Sequence, residues 1–399
     1  MNRYIYLVMI AAMVLLTACD DLEMEESYGT DHISPKPLTK SLIEAKREKT
    51  DETNLSKKIT LTAIGDLLIH DRVYNDARVE KGRFDFSPMF EQVKPFLNIS
   101  TITIANQETM IGGQAIGLSS YPRFNSPFEF GDTVNDVGVD VVSIANNHTL
   151  DRGEEAILNS ISHWQSLDMI YTGSYKDVED SEQVRVLQTI GGIDVAFLSY
   201  TYGTNGIPVP ENKGYLVNLI DKKKMAADVE KAKGLSDVLI MSLHFGNEYE
   251  RMPNAEQKDL AQYASDLGVD VVIGHHPHVL QPVEWIEGKE GNKTFVAYSL
   301  GNFLSGQDEF YNRIGGALSL TIELKENNGE DEVLVTQPQF LPTFVDYKGD
   351  VNTMSDVQII PMYQLTDSEL PNAKKHYSEI KAHMSQWMTE LEFIEMDKK

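Results

Sequence analysis

Between Ile59 and Tyr298 short β-branched runs recur, and nearly every one stops on a polar group. Ile59–Ile64 stops at Gly65-Asp66, Thr101–Ala105 at Asn106-Gln107-Glu108, and Asp140–Ile144 at Ala145-Asn146-Asn147-His148. Val195–Tyr200 ends in a Gly-rich turn, Asp237–Ser242 at Leu243-His244, and Val269–Ile273 at Gly274-His275-His276-Pro277-His278. Thr294–Tyr298 ends at Ser299-Leu300-Gly301-Asn302-Phe303. Short apolar runs bounded by turn residues read as buried strands. Helical stretches lie between them. Gly153–Ser166 carries Ala156, Ile157, Ile161 and Trp164 on one face at the 3.6-residue period, and Asp221–Leu235 is charged and Ala-rich. Asn254–Gly268 opens on an Asn cap and closes on a glycine suited to the left-handed position past a helix end. Strands alternating with helices predict a layered α/β architecture. Gly316–Glu323 and Glu332–Phe344 read as a β-rich continuation, and Asp367–Met396 as one or two peripheral helices.

The polar strand ends carry the chemistry. In open α/β sheets, ligands bind at the rim formed by the carboxyl ends of the strands. Imidazole is the commonest protein metal ligand at neutral pH, and the His-His-Pro-His cluster follows directly on a strand. Each piece alone has a bland reading: Gly-Asp is a turn, Asn-Asn-His a capped turn, a lone His a satisfied structural residue. As a set, Asp66, Glu108, Asn147, His148, His244, His276 and His278 point to a metal centre. Mixed carboxylate, amide and imidazole ligands suit Mn, Zn, Fe or Mg. The divalent metal can be one or two ions; a pair ~3.5–4 Å apart clamps the attacking and leaving oxygens of a displacement. Binding needs ionised acids and neutral imidazoles, so occupancy falls at low pH. Asp151 and Glu248 are placed to orient ligating histidines through the second ring nitrogen. Arg152 and Arg123 suit an anionic substrate group, or are solvated surface charges. Pro277 reads as a residue that sets the loop's geometry.

The chain's start addresses it to the membrane. Arg3 precedes the apolar stretch Tyr4–Leu16, which is short for a bilayer span but right for the apolar region of a signal peptide. Leu16-Thr17-Ala18-Cys19 has the pattern of a bacterial lipoprotein processing site, and the sequence holds 1 cysteine, Cys19 itself. The expectation is a signal peptide over 1–18 and a mature chain diacylated at Cys19. Two acyl chains hold it stably on the extracytoplasmic face of the cell membrane. A short transmembrane anchor with an incidental cysteine is the alternative. No cysteine is left for a disulfide. Residues 19–56 are acidic and poor in apolar groups, a flexible tether by composition. The folded part is expected over 57–350, with a helical extension over 351–399. The net charge of −26 argues against nucleic acid or an anionic membrane surface as a direct partner. It also makes a bare polyanion an awkward ligand unless bound cations or a local basic patch intervene.

Taken together, Gly65-Asp66, Asn106-Gln107-Glu108, Ala145–Gly153, His244–Tyr249, Gly274–Gln281 and Tyr298–Phe303 are similar to the CapA family. These are the bacterial capsule-synthesis proteins of poly-γ-glutamate biosynthesis, and the motifs run in the family's order. That family in turn resembles the calcineurin-like metallophosphatases. The resemblance therefore implies a four-layer α/β/β/α sandwich with a two-metal site at the strand ends. It implies Asp66 as the first metal-binding aspartate and Glu108 in the place of a metal-bridging aspartate. Asn147 falls on the metal-binding asparagine, His148 on the catalytic acid, His244 on an isolated ligand histidine, and His276 and His278 on a closing His-x-His pair. His275 is the extra member of the cluster. Two departures stand out. The phosphatase Asp-x-His start is here Asp66-Leu67-Leu68, with His70 further on, and the second motif is Asn-x-Glu. One metal position thus loses a ligand. The function implied is a lipid-anchored protein of poly-γ-glutamate capsule synthesis or export. Its partners would be membrane-embedded capsule synthase or export proteins and poly-γ-glutamate or a precursor. Its hydrolase-like site would act on a phosphoester or an amide, with His148 protonating the leaving group. Two rivals stay open: a non-catalytic assembly or polymer-handling subunit, and a secreted metallophosphoesterase without a capsule role.

Overall fold

The computed structural model describes residues 57–327 and 330–395. The expected signal peptide, Cys19 and the tether to residue 56 lie outside the described residues. No helix among the described residues is long and apolar enough to cross a membrane.

The chain builds two sheets. The first contains β1 (Lys58–Leu68), β2 (Ile102–Gln107), β3 (Val141–Ser143) and β4 (Ile170–Thr172) as parallel neighbours. The second contains β5 (Arg185–Gln188), β6 (Asp194–Thr201), β7 (Val238–His244), β8 (Val271–His275), β9 (Leu280–Glu287) and β10 (Lys293–Leu300). Its order is β5-β6-β7-β8-β10-β9, with β6, β7, β8 and β10 parallel and both edge strands antiparallel. The chain then returns to the first sheet. There β11 (Asn302–Ser305) pairs with β1, and β12 (Ile314–Asn327), β13 (Glu330–Lys348) and β14 (Ser355–Pro361) extend its antiparallel side.

Three apolar clusters define four layers. Leu61, Ala63, Ile104 and Val141 of the first sheet meet Phe197, Ile240, Val271, Ile273 and Phe295 of the second in one shared core. The first sheet's other face (Leu67, Ala105, Val142) packs on the helices α1 (Asp71–Asp76), α2 (Phe128–Asp136) and α3 (Gly153–Ser166). The second sheet's other face (Leu198, Met241, Val272, Val296) packs on α4 (Lys222–Lys233) and α5 (Ala255–Asp266). This is the expected α/β/β/α sandwich. Strands β7 and β8, covered on both faces, bury all their side chains and read as nearly continuous apolar runs, whereas β1 alternates with threonine. Helix α3 spans the expected residues and buries Ala156, Ile157, Ile161 and Trp164. Helix α5 starts at a capping box between Asn254 and Gln257, and Gly268 follows it at φ +85°.

The C-terminal segment departs from the helical extension expected over 351–399. It is helical at α6 (Ala373–Met384), but it also gives β14 and β15 (Glu392–Phe393), both paired with β13. An open sheet edge offers unpaired backbone groups, and Val357, Ile359 and Ile360 bury their side chains on reaching it. Tyr377, Ile380 and Met384 of α6 belong to the inter-sheet core, so this segment completes the sandwich.

Candidate metal centre

The ends of β1, β2, β7 and β8 and the turn after β3 converge, bringing both sheets to one buried site. On β1 the register with β2 shifts between Ile64 and Asp66. A bulge of this kind re-aims the side chain beside it. Gly65 makes it possible: a Cβ there would stand 2.2 Å from the Gly301 carbonyl oxygen. Asp66 donates its backbone N–H to that same oxygen at 2.8 Å. Glu108 follows β2 directly. Asn147 and His148 sit in a turn held by Asn146, whose side-chain amide donates to the Gln107 carbonyl at 3.0 Å and whose oxygen accepts the His148 N–H at 2.9 Å. His244 and His275 end their strands as cross-strand partners. His276 and His278 follow at φ +96° and +57°. Left-handed conformations at non-glycine residues cost on the order of 1–3 kcal/mol each, and here they turn both imidazoles into the site.

All seven residues singled out as ligands or catalyst are buried: Asp66, Glu108, Asn147, His148, His244, His276 and His278. Asp66 is well supplied with donors. Its carboxylate accepts from Asn106 Nδ2 at 2.8 Å and His275 Nδ1 at 3.1 Å, and His278 Nδ1 lies 3.2 Å away as an ion-pair partner. Burial pushes its pKa up, but the bonds from His275 and His278 outweigh that and hold it well below the ordinary carboxylate value. Glu108 is the opposite. Neither of its carboxylate oxygens has a hydrogen-bond partner among the described residues, and burial raises its pKa well above the ordinary value. His276 Nδ1 and Asn106 Oδ1 are also buried without such partners.

These orphaned acceptors fit a cation. Donor atoms of Glu108, His244 and His276 lie within 4.8 Å of one another, as do those of Asp66, Glu108 and His278. Glu108 belongs to both groups, the place of a bridging ligand. His244 Nε2 lies 2.9 Å from Asn147 Oδ1 and 3.6 Å from Glu108 Oε1, and His278 Nε2 lies 3.5 Å from the same Glu108 oxygen. Ligands that share one ion at roughly 2.0–2.2 Å stand about this far apart. Burial lowers His244 well below its ordinary pKa and lowers His276 to about 3, so both are neutral and able to coordinate. Burial also opposes charge on His278, but Glu108 and Asp66 raise it to about 9.

His148 lies outside these groups. Its Nδ1 is 2.7 Å from Asp151 Oδ2, which leaves Nε2 as the nitrogen able to exchange a proton. Asp151 Oδ2 also accepts the Phe124 N–H at 2.8 Å, and the Phe124 ring stands edge-on to His148 at 4.7 Å. Asp151 thus orients His148, a histidine outside the candidate metal groups, where the sequence assigned it to a ligand. Arg152 is taken up by the loop before Phe124: its guanidinium donates to the Ile116 and Gly117 carbonyls and to Ser119 Oγ, at 2.6–3.0 Å. Arg123 is exposed. His70 Nδ1 accepts the Gly306 N–H at 3.2 Å, and His70 joins none of the ligand groups. Glu248 is exposed, yet its carboxylate lies within 4.8 Å of ligand atoms on His276 and His278, closer than the expected supporting role required.

Four contributors escaped the sequence reading. Asn106 and His275 hold Asp66, Asn302 Oδ1 accepts from His278 Nδ1 at 3.1 Å, and the Tyr202 ring lies 4.6 Å from His276. Asn106, His275 and Asn302 stand inside the strand-end motifs, so their signal was position. Tyr202, in the Gly-rich turn after β6, carried none.

Residues 60–307 match the model of the bacterial capsule synthesis protein PGA_cap family, more than half of the chain. The chain belongs to the PGA_cap family. Every candidate ligand lies within the matched segment, whereas β12 to β15 lie beyond it. The chain is 28% identical over 282 residues to the capsule biosynthesis protein CapA of Bacillus anthracis, covering 68% of this chain and 65% of that protein. It thus spans just under two thirds of that relative's length. It is 25% identical over 276 residues to the PGA biosynthesis protein CapA of Bacillus subtilis, covering 67% of this chain and 68% of that one. Among solved structures, the calcineurin-like phosphoesterase YfkN from Bacillus subtilis aligns with a TM-score of 0.41 and 14% identity, over 81% of this chain and 98% of that one. A likeness that slight carries no functional weight.

Proposed function

We propose that this PGA_cap protein is a metal-dependent hydrolase of poly-γ-glutamate capsule synthesis or export. In this reading Cys19 carries the lipid that holds it on the extracytoplasmic face, beside the membrane-embedded capsule synthase or export proteins. The names of the two Bacillus relatives support the capsule role. The observation that carries the catalytic reading is Glu108: a fully buried carboxylate with both oxygens unpartnered, ringed by donor atoms of Asp66, His244, His276 and His278. An uncompensated buried carboxylate costs several kcal/mol, and a cation between these groups removes that cost. Asp66, Glu108, Asn147, His244, His276 and His278 would hold one or two divalent ions, Mn, Zn, Fe or Mg. When bound, such ions polarise the scissile group and lower the pKa of water. His148, oriented by Asp151, gives a proton from Nε2 to the leaving group of a phosphoester or a γ-glutamyl amide.

One observation favours the non-catalytic rival, an assembly or polymer-handling subunit. Asp66 already pairs with three side chains, as it would in a site kept for stability. Elemental analysis of the full-length protein separates the readings when combined with a screen of phosphoester and γ-glutamyl substrates. At least one transition metal per chain and turnover lost in His148→Ala support the hydrolase. Capsule output that survives His148→Ala but not His276→Ala supports the structural rival. Absence of metal after supplementation defeats the metal centre altogether.

A further inference from the structure

Glu248 stands outside both ligand groups that Glu108 joins. Its carboxylate, His276 and His278 form a third set whose ligand atoms lie within 4.8 Å of one another. This set differs from the other two. Its histidines are the two that Glu108 already gathers, and its acid comes from the exposed side. His276 Nδ1 is buried without a hydrogen-bond partner among the described residues, an unsatisfied nitrogen on one of the two imidazoles that Glu248 faces.

The backbone holds Glu248 in place. Tyr249, at φ +66°, donates its N–H to the Pro277 carbonyl at 2.8 Å. The segment carrying Glu248 is therefore bonded to the residue between the two histidines. On the other side of the turn, the Phe245 N–H donates to the His275 carbonyl at 3.1 Å. Glu248 cannot drift far from His276 and His278 without breaking these bonds.

We propose that Glu248 is a direct ligand of a divalent cation held by His276 and His278. This rests on the metal-centre reading and adds a ligand to it. The cation so held has its one anionic ligand on the solvent side. Glu248 can therefore let go of it without exposing a buried charge, whereas Asp66 and Glu108 cannot.

The test is Mn²⁺ binding by the full-length protein, stripped with chelator and followed by calorimetry and by the metal-induced rise in melting temperature. Because Glu248 is exposed, Glu248→Ala should leave the melting temperature of the stripped protein unchanged. It should weaken one Mn²⁺ site by more than the roughly 10–100-fold that loss of an outer-shell partner costs and reduce the Mn²⁺-induced rise accordingly. Glu248→Asp, which keeps the charge on a shorter arm, should fall between. Unchanged Mn²⁺ stoichiometry and affinity in Glu248→Ala overturn the assignment. Failure of the unaltered protein to bind Mn²⁺ overturns the metal-centre reading itself, so the two failures are told apart by the unaltered protein alone.

Discussion

The ends of β1 and β2 present two carboxylates, equally buried and a few ångströms apart, in opposite states. Asp66 is ringed by Asn106, His275 and His278 and held well below its ordinary pKa; Glu108 has no hydrogen-bond partner among the described residues and is held well above. The donors at Asp66 all come from strand ends: Asn106 from β2, His275 from β8, His278 just after it. Glu108 faces the imidazoles of His244 and His278 at 3.6 and 3.5 Å, beyond hydrogen-bond distance. A buried charge that the protein itself satisfies is a structural element. One left unsatisfied is an opening for a ligand. The two carboxylates therefore differ in what can satisfy them: side chains of the protein at Asp66, and a candidate cation at Glu108.

The largest effect should separate chemistry from both carboxylates. His148→Ala should lower turnover by on the order of 10²–10⁴-fold while elemental analysis finds the metal retained. Loss of metal along with activity would make His148 part of the binding site. Next come the two carboxylates in metal-free protein. Asp66→Asn breaks a satisfied buried pair and should cost about 3–5 kcal/mol in denaturant unfolding with chelator present. Glu108→Gln removes an orphaned charge, so it should leave stability unchanged or raise it by about 1–3 kcal/mol while abolishing metal binding. Equal destabilisation by both would erase the contrast. The smaller effect is on pH dependence. A lowered pKa stabilises the fold above the ordinary value of the acid, and that stability is lost as pH falls. Asp66 therefore contributes above 3.8 and loses its contribution on acidification. A raised pKa works the other way: Glu108 contributes below 4.5, and the contribution fades as pH climbs through its raised value. His278, raised to about 9, loses its contribution over the same rising limb. Unfolding free energy against pH should thus fall on both sides, with Glu108→Gln flattening the alkaline limb and Asp66→Asn the acid one.

Much of this was legible in the chain. The strand runs are local patterns, and a strand end is marked by the residue that stops it, so Asp66, Glu108, Asn147, His244, His276 and His278 stood out as a set. Helix α3 was readable from its apolar period, and α5 from its Asn cap, because both depend on neighbours within a turn. What pairs at long range was not legible. Strand β14 forms because β13 leaves an open edge for Val357, Ile359 and Ile360, and no local pattern says where that edge will be. Asp151 stands three residues from His148, so sequence could bring it near. Which histidine it orients depended on the turn after β3, and Arg152's role depended on the loop that it binds.

The chain's own patterning determined the alternation of strands and helices, hence the layered class, and the chemical kinds of donor at the strand ends, because burial periodicity and residue type are written in order along it. The tertiary structure alone decided which donors are spent and which are free. Asn106 and His275 satisfy Asp66 only because the bulge at Gly65 and the β7–β8 register bring them to it. Glu108 is left open because no donor among the described residues bonds to either of its oxygens. A hydrogen bond fails within a few tenths of an ångström, and distances that fine are set by the packing of two sheets, not by the spacing of residues along one chain.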